Sequence, residues 1–146
     1  MGFCRLTAVP ADDLPVAEFA FPGPLRDQLV AAILAGEKTT TTGLVADYEH
    51  ENDPLPAPGL RQVVVDSAGR GVAVIEVTAV RVMRLADVGL DHALGEGEGF
   101  ASVAQWRAGH EQFWHSAEMR QALGDPAFVV GDDTLVVVEE FRLIQG

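Results

Sequence analysis

The sequence predicts an α+β fold: a small mixed sheet, mostly antiparallel and of about five or six strands, curled into a barrel with two or three flanking helices. Three observations carry this. Leu25, Leu29, Ala32 and Ile33 recur at helical spacing and stop at Gly36. Two β-rich arms, 61–66 and 71–85, flank the turn Ser67-Ala68-Gly69-Arg70. A second helical pattern opens at Ser102 and is followed by β-prone segments that close the chain.

Residues 1–20 are acidic and proline-containing and read as an extended lead-in, and residues 21–146 read as one domain. A chain of 146 residues with 48% hydrophobic content suits a single core. After the first helix, Lys38 to Val45 is β-prone through its threonines. Residues 46–60, with three prolines and several acids, read as a loop. In the arm from Gly71, Val72, Val74 and Glu76 share one face while Ala73, Ile75 and Val77 share the other. Both faces are apolar around Glu76, so its carboxylate is predicted to be shielded, with a partner or a raised pKa.

Residues 86–101 contain Gly95-Glu96-Gly97-Glu98-Gly99 and read as a flexible loop or lid. The glycine spacing is not that of a dinucleotide site, and the two glutamates would repel phosphate. Ser102-Val103-Ala104-Gln105 has the form of a capping box. The helix it opens places Val103, Trp106, His110, Phe113 and Trp114 on or near one face. Phe128–Val130, a turn at Gly131-Asp132-Asp133 and a long strand from Thr134 to Ile144 complete the chain.

The net charge is −12, with 22 acidic residues against 10 basic ones, which weighs against duplex DNA as a partner. Arg61, Arg70, Arg81 and Arg84 lie in one acid-poor stretch and read as solvated surface. The single cysteine, Cys4, excludes an internal disulfide and suggests a reducing compartment. The N-terminal residues lack a secretory pattern, and no apolar run approaches the roughly 20 residues that span a bilayer. A cytoplasmic protein with no membrane partner is therefore expected. His110 and His115 are five apart and do not stack on one helical face, and Asp132-Asp133 supplies too few ligands for calcium. Neither a metal nor a cofactor is expected.

Lys38 is the only lysine, nine arginines supplying every other fixed positive charge. An ammonium is a compact point donor and can be tuned to lose its proton, which a guanidinium cannot. The residue sits in Gly36-Glu37-Lys38-Thr39-Thr40-Thr41-Thr42-Gly43, where the helical pattern breaks.

Ile33-Leu34-Ala35-Gly36-Glu37-Lys38-Thr39-Thr40-Thr41, then Val74-Ile75-Glu76-Val77-Thr78, then Glu96-Gly97-Glu98-Gly99-Phe100 with Trp106-Arg107 and His110, resemble the ASCH domain family. The resemblance spans roughly residues 21–144. It implies a PUA-like β-barrel, related to RNA-modification domains, with a cleft bordered by the Lys-Thr box. It also implies one of several activities: RNA binding, RNA cleavage or, in a short bacterial branch, amide hydrolysis of acetylcytidine.

In that hydrolytic branch the catalytic lysine falls on Lys38, the nucleophilic threonine on Thr41 and the glutamate on Glu76. A threonine hydroxyl needs a neighbouring base to attack an amide. If a carboxylate touches Lys38, the amine stays protonated and polarises the carbonyl instead. Three residues apart on a flat strand, Lys38 and Thr41 would face opposite sides, so Lys38 must sit in the turn leaving the helix, or a bulge must separate them. The branch carries an arginine two residues after its threonine, where this chain has Gly43.

Three functions follow. The first is a hydrolase of an acylated or otherwise modified nucleoside, using Lys38, Thr41 and Glu76. The second is a module that binds a nucleotide or short single-stranded RNA, with Thr39, Tyr48, Trp106, Arg107 and His110 as binding residues and the aromatics stacking bases. The third is an RNA-cleaving variant using Lys38 with Tyr48 or His110. Against these stand plain structural roles: Thr41 as a β-prone strand residue, Glu76 as an arginine's partner, and Trp106, Arg107 and His110 as a helix packed on the barrel.

Overall fold

The computed structural model describes residues 14–146; Cys4, with the rest of residues 1–13, lies outside them. Five strands form one sheet: β1 (Val16–Ala17), β2 (Thr40–Leu44), β3 (Arg61–Val65), β4 (Gly71–Arg84) and β5 (Leu135–Gln145). They are ordered β1-β3-β4-β5-β2. Only β1 and β3 run parallel, and the other pairs are antiparallel. The α+β class and the mixed sheet match expectation, while the ladder runs from one edge to the other without closing. Register shifts at Val74/Ile75 and Val77/Ala79 bend β4 against β5, and bulges of this kind increase local twist. The closed barrel that was expected is therefore an open five-stranded sheet.

Among the described residues five helices flank the sheet, more than the two or three expected: α1 (Pro24–Leu34), α2 (Val45–His50), α3 (Leu90–Gly95), α4 (Val103–Trp114) and α5 (Ala117–Leu123). Helix α1 has proline in its first turn and ends before Gly36, whose φ of 78 suits glycine. Helix α4 opens as read, with the Ser102 hydroxyl accepting from Gln105 N and the Gln105 side chain reaching back to Ala101 N. Helices α2 and α3 replace parts of the predicted loops 46–60 and 86–101; each is six residues long, too short for apolar periodicity to announce it. Helix α5 carried signals in the sequence, a Ser116 cap and a left-handed Gly124, that bracket it. Phe128–Val130 forms no strand; its backbone is held instead by the side chains of His115 and Arg120.

Two apolar clusters pack on the sheet. One gathers Trp106, Trp114, Met119 and Leu123 from α4 and α5 against Leu44, Val136 and Val138. The other sets Leu29, Val30 and Ile33 of α1 against Val64, Ala73, Ile75 and Phe141. Ala17 and Phe19, within the segment read as a lead-in, belong to the second cluster, and Val16 and Ala17 pair with Val63 and Val64. Strand β5 serves both clusters by alternation, Val136 and Val138 facing the first and Phe141 the second.

Gly95 and Gly97 are explained by close approach. A Cβ on Gly95 would lie 2.7 Å from Thr40 Cγ2, and one on Gly97 would lie 2.6 Å from Glu37 O. Gly97 also has φ of 70. The segment is therefore pressed against the backbone before Lys38, and Thr39 N donates to Gly95 O at 2.7 Å. Gly99, at φ of 83, has open space around it. Gly97→Ala should accordingly destabilise by about 2–4 kcal/mol, and Gly99→Ala by about 1 kcal/mol, the left-handed penalty alone. Denaturant unfolding of the two variants beside the wild type checks this; equal losses would contradict the close packing at Gly97.

Candidate functional site

Lys38 follows the turn out of α1, where Glu37 N and Lys38 N both donate to Ala32 O. It precedes β2, as the hydrolytic reading of Lys38 and Thr41 required. Its side chain is 1% exposed. Nζ donates to Glu96 Oε1 at 2.7 Å, to Thr40 O at 2.9 Å and to Glu96 O at 3.3 Å. Three acceptors take up the three hydrogens of an ammonium, which has no acceptor of its own. Phe19 places its ring 5.8 Å from Nζ.

Glu96 is the hub of the site. Beside Lys38 on Oε1, its Oε2 accepts from the Thr42 hydroxyl at 2.7 Å and from Trp106 Nε1 at 3.0 Å, with His110 Nε2 at 3.1 Å. Burial opposes its ionisation, but Lys38 and His110 outweigh burial and hold the carboxyl well below the usual range. His110 Nδ1 lies 2.9 Å from Trp106 O, a pure acceptor, while Nε2 faces a carboxylate, so both ring nitrogens donate and the ring is an imidazolium. Burial works against that charge, yet Glu96 raises the His110 pKa on balance. His92 is the opposite case: burial lowers its pKa. Since the Thr42 hydroxyl donates to Glu96, it accepts from His92 Nε2 at 2.7 Å, which fixes the Nε2–H tautomer of His92. Thr40 donates to His92 O at 2.8 Å, so α3 is tied to alternate threonines of β2.

Thr41 lies between those threonines on the other face of β2, directly across from Glu139 on β5. Its hydroxyl has no hydrogen-bond partner among the described residues, and it lines the same cleft as Lys38. Glu139 is 7% exposed. Burial pushes its carboxyl up to about 7, with the Tyr48 hydroxyl and Lys38 offsetting this only in part. Tyr48, on α2, is raised in turn by burial and by Glu139. Glu98 lies with its carboxylate 3.9 Å from Lys38 Nζ, and burial raises its pKa against the pull of that lysine. The cleft these residues share has a volume of about 1460 Å³. Its lining includes Phe19, Tyr48, Phe100 and His110 together with the proline-rich turn at 54–58.

The sequence-predicted residues divide. Lys38, Thr41, Tyr48 and His110 meet in the cleft. Glu76 does not join them. It stands opposite Arg61 of β3 and Arg142 of β5 and is bonded to both, at 2.9 and 3.1 Å. The Arg61 hydrogen bond, with Arg142, lowers its pKa, and its side chain is 19% exposed. Its shielding was overestimated because both neighbouring strands present arginine, not apolar residues, at its level. The carboxylate that meets Lys38 is Glu96, in the segment read as a flexible loop. Trp106 is fully buried and donates to Glu96, so it offers no face to a base. Arg107 lies outside the cleft lining and is bonded to Glu111 and Asp132. Thr39 is exposed and contributes its backbone, donating to Gly95 O and accepting from Phe141 N. Glu139 was missed; its signal was an acid at a core-facing step of Val136-Val137-Val138-Glu139-Glu140-Phe141.

Glu96, Glu98 and His110 bring ligand atoms within 4.8 Å of one another, the one such group among the described residues. The cation seated against these carboxylates is the Lys38 ammonium. No helix among the described residues is long and apolar enough to cross a membrane.

No curated protein matches the sequence. The family model for the ASCH domain matches residues 18–145. Among solved structures, the ASCH domain from Lactobacillus crispatus JV V101 is 28% identical with a TM-score of 0.74, covering 90% of this chain and 81% of that one. Protein EF3133 from Enterococcus faecalis V583 is 22% identical with a TM-score of 0.78, covering 90% and 77%. Hypothetical protein PH0355 shares the fold more loosely, at 18% identity and a TM-score of 0.53, covering 88% and 100%. With a family match over nearly the whole domain, the chain belongs to the ASCH domain family.

Proposed function

We propose that this protein is a hydrolase that releases an acyl group from a modified nucleoside. The observation that carries the reading is the pairing of Thr41 with Glu139: an uncommitted hydroxyl opposite a buried carboxyl pushed up to about 7, in the cleft that also holds Lys38. A general base works best with a pKa near the operating pH. Directly opposed residues of an antiparallel pair hold their Cβ atoms about 5 Å apart, within reach for proton transfer. Thr42 is the weaker candidate nucleophile, since its hydroxyl is already committed to Glu96 and His92 and Glu96 is too acidic to serve as its base.

In this reading ionised Glu139 takes the Thr41 proton as Oγ1 attacks the amide carbonyl. Lys38 supplies the positive charge for the developing oxyanion, the carbonyl oxygen replacing Glu96 O, its longest contact at 3.3 Å. Protonated Glu139 returns the proton to the leaving amine, and water activated by the same carboxylate cleaves the acyl-threonine. Glu76 has no part. Tyr48 positions Glu139, and Gly43 beside it leaves room over the ring, a Cβ there lying 3.4 Å from Tyr48 Cε2. The RNA-binding reading loses Trp106 as a stacking platform and Arg107 as a phosphate contact.

Chromatography of products from a panel of N-acylated nucleosides tests this, with a short single-stranded RNA alongside. Wild type should release acyl groups, and Thr41→Ala and Glu139→Gln should each lower kcat/KM by about 100-fold or more. Thr42→Val should cost less than Thr41→Ala. Cleavage of the RNA, or turnover indifferent to Thr41 and Glu139, would overturn the reading.

Glu139 also sets a pH dependence. Its folded pKa is raised from 4.5 to about 7, so between those values the folded state holds a proton that the unfolded state has lost. Stability contributed by this group therefore falls as pH rises from about 4.5 to 7, by about 3 kcal/mol, and is flat above. Glu139→Gln removes the penalty: its Tm should exceed wild type at about pH 8 and lie close to it at about pH 5. In wild type, kcat/KM should rise through an ionisation near 7. A Glu139→Gln variant with the wild-type difference in Tm between these pH values would contradict the assignment.

A further inference from the structure

We infer that the outer edge of β4 between Thr78 and Arg84 is a docking site for an extended peptide segment of a partner protein, added as an antiparallel strand with a carboxylate opposite Arg81. The site lies apart from the cleft, none of whose lining comes from these residues, and it does not depend on the hydrolytic reading.

The ladder fixes which way each residue of this edge directs its backbone. Phe141 N donates to Thr39 O, so the odd-numbered residues of β5 turn their N–H and C=O groups toward β2 and the even-numbered ones toward β4. Leu85 N donates to Thr134 O, in agreement. Glu140, Val138 and Val136 stand opposite Ala79, Arg81 and Met83, which therefore face β5. Val80 and Val82 direct their N–H and C=O groups the other way. Strand β3 does not reach them, since its pairing with β4 ends at Arg61 opposite Glu76. The turn before β3 covers one further residue, Gly59 N donating to Val77 O and Val77 N to Leu60 O. Beyond Val77, among the described residues, no strand or loop backbone bonds to this edge, and Thr78–Arg84 contains no proline to close it. An edge open in this way is a template for strand addition, with backbone bonds giving affinity and alternate side chains giving selectivity.

The side chains set the sequence of the guest. Arg81 is the one arginine among the described residues with neither a hydrogen bond nor an ion pair, the others being bonded to carboxylates or carbonyls. It lines a separate cavity of about 540 Å³ with Met83, Val88, His92 and Val138. Of the two acids on that wall, Asp87 is held by Arg84 at 3.1 and 3.2 Å, and neither Asp87 nor Asp91 forms an ion pair with Arg81. Arg81 and Met83 share one face of β4, and Val80 and Val82, the latter 45% exposed, share the other. An antiparallel guest passes Met83, then Val82, then Arg81. Its residue at Met83 meets an apolar surface, its residue at Val82 packs on a β-branched side chain, and its residue at Arg81 meets an unpaired guanidinium. The guest therefore reads apolar, β-branched, acidic. A second copy of the chain fits less well: it sets a net charge of −12 against another, and its own Thr78–Arg84 edge offers no acid.

Fluorescence anisotropy of the full chain with the labelled peptide Thr-Leu-Val-Glu-Val-Thr tests this, beside the same peptide with lysine in place of glutamate. The glutamate form should bind about fivefold more tightly at low ionic strength, and Arg81→Glu should reverse the preference. Val82→Pro should abolish binding of both while circular dichroism and Tm stay near wild type, because the lost N–H points away from β5. If Val82→Pro fails to fold, the reversal in Arg81→Glu decides. Binding that survives in folded Val82→Pro, equal affinity for the two peptides, or binding of neither overturns the inference. A wild-type dimer in sedimentation that Arg81→Glu or Val82→Pro returns to monomer also overturns it, giving the edge to a second copy.

Discussion

The Lys38–Glu96 ion pair is the constraint around which the site is built. Both side chains are almost wholly removed from solvent, at 1% and 2% exposed. Taking two such charges out of water costs several kcal/mol each unless the remaining donors and acceptors are satisfied. They are satisfied here in full: the lysine has three acceptors, and the carboxylate has donors from Lys38, Thr42, Trp106 and His110. Each requirement recruits another element. The Trp106 indole must reach inward from α4, His110 must stand one turn later on the same helix, and Thr42 must alternate correctly on β2. The glycines at 95 and 97 follow from the same demand, since Glu96 reaches Lys38 only if its backbone touches the chain at Glu37 and Thr40. Removing either charge alone would strand the other, which makes the pair a device for holding three elements in one arrangement more than a source of net stability.

This explains which parts of the molecule were legible in the sequence. Helix α1, the hairpin of β3 and β4, the cap of α4 and the long final strand were readable because each rests on local signals: apolar spacing, a glycine stop, a turn between alternating arms, a serine cap. The Lys38 box was readable because a single lysine among nine arginines is conspicuous. The partner of that lysine was not. Glu76 and Glu96 each sit among residues that suggest significance, and only the packing distinguishes them. Glu76 meets Arg61 and Arg142 because the register of three strands sets them side by side. Glu96 was concealed by its glycines, which mark flexibility in most sequences and here mark close contact. Trp106 was placed on the right face of the right helix, but whether it stacks a ligand or braces a carboxylate depends on depth, which periodicity does not give.

The cleft holds its carboxylates in two electrostatic settings beside a buried ion pair. Glu96 is stripped of basicity by Lys38 and His110. Glu139, on the other face of β2 and β5, is near enough to Lys38 to be influenced by it but is not bonded to it, and burial prevails. Two carboxyl groups whose environments push their pKa values apart can take separate roles, one fixing a charge and one moving a proton. Strand β2 is the partition. Its even threonines, 40 and 42, are tied to His92 and Glu96, and its odd threonine, 41, is left free beside Glu139. A run of four threonines thus becomes two kinds of residue through the period of the strand alone. In the hydrolysis we propose, the same alternation keeps Glu96, the bonded partner of Lys38, on the other face of β2 from the Thr41 hydroxyl, so the lysine and Glu139 do not neutralise each other by direct contact.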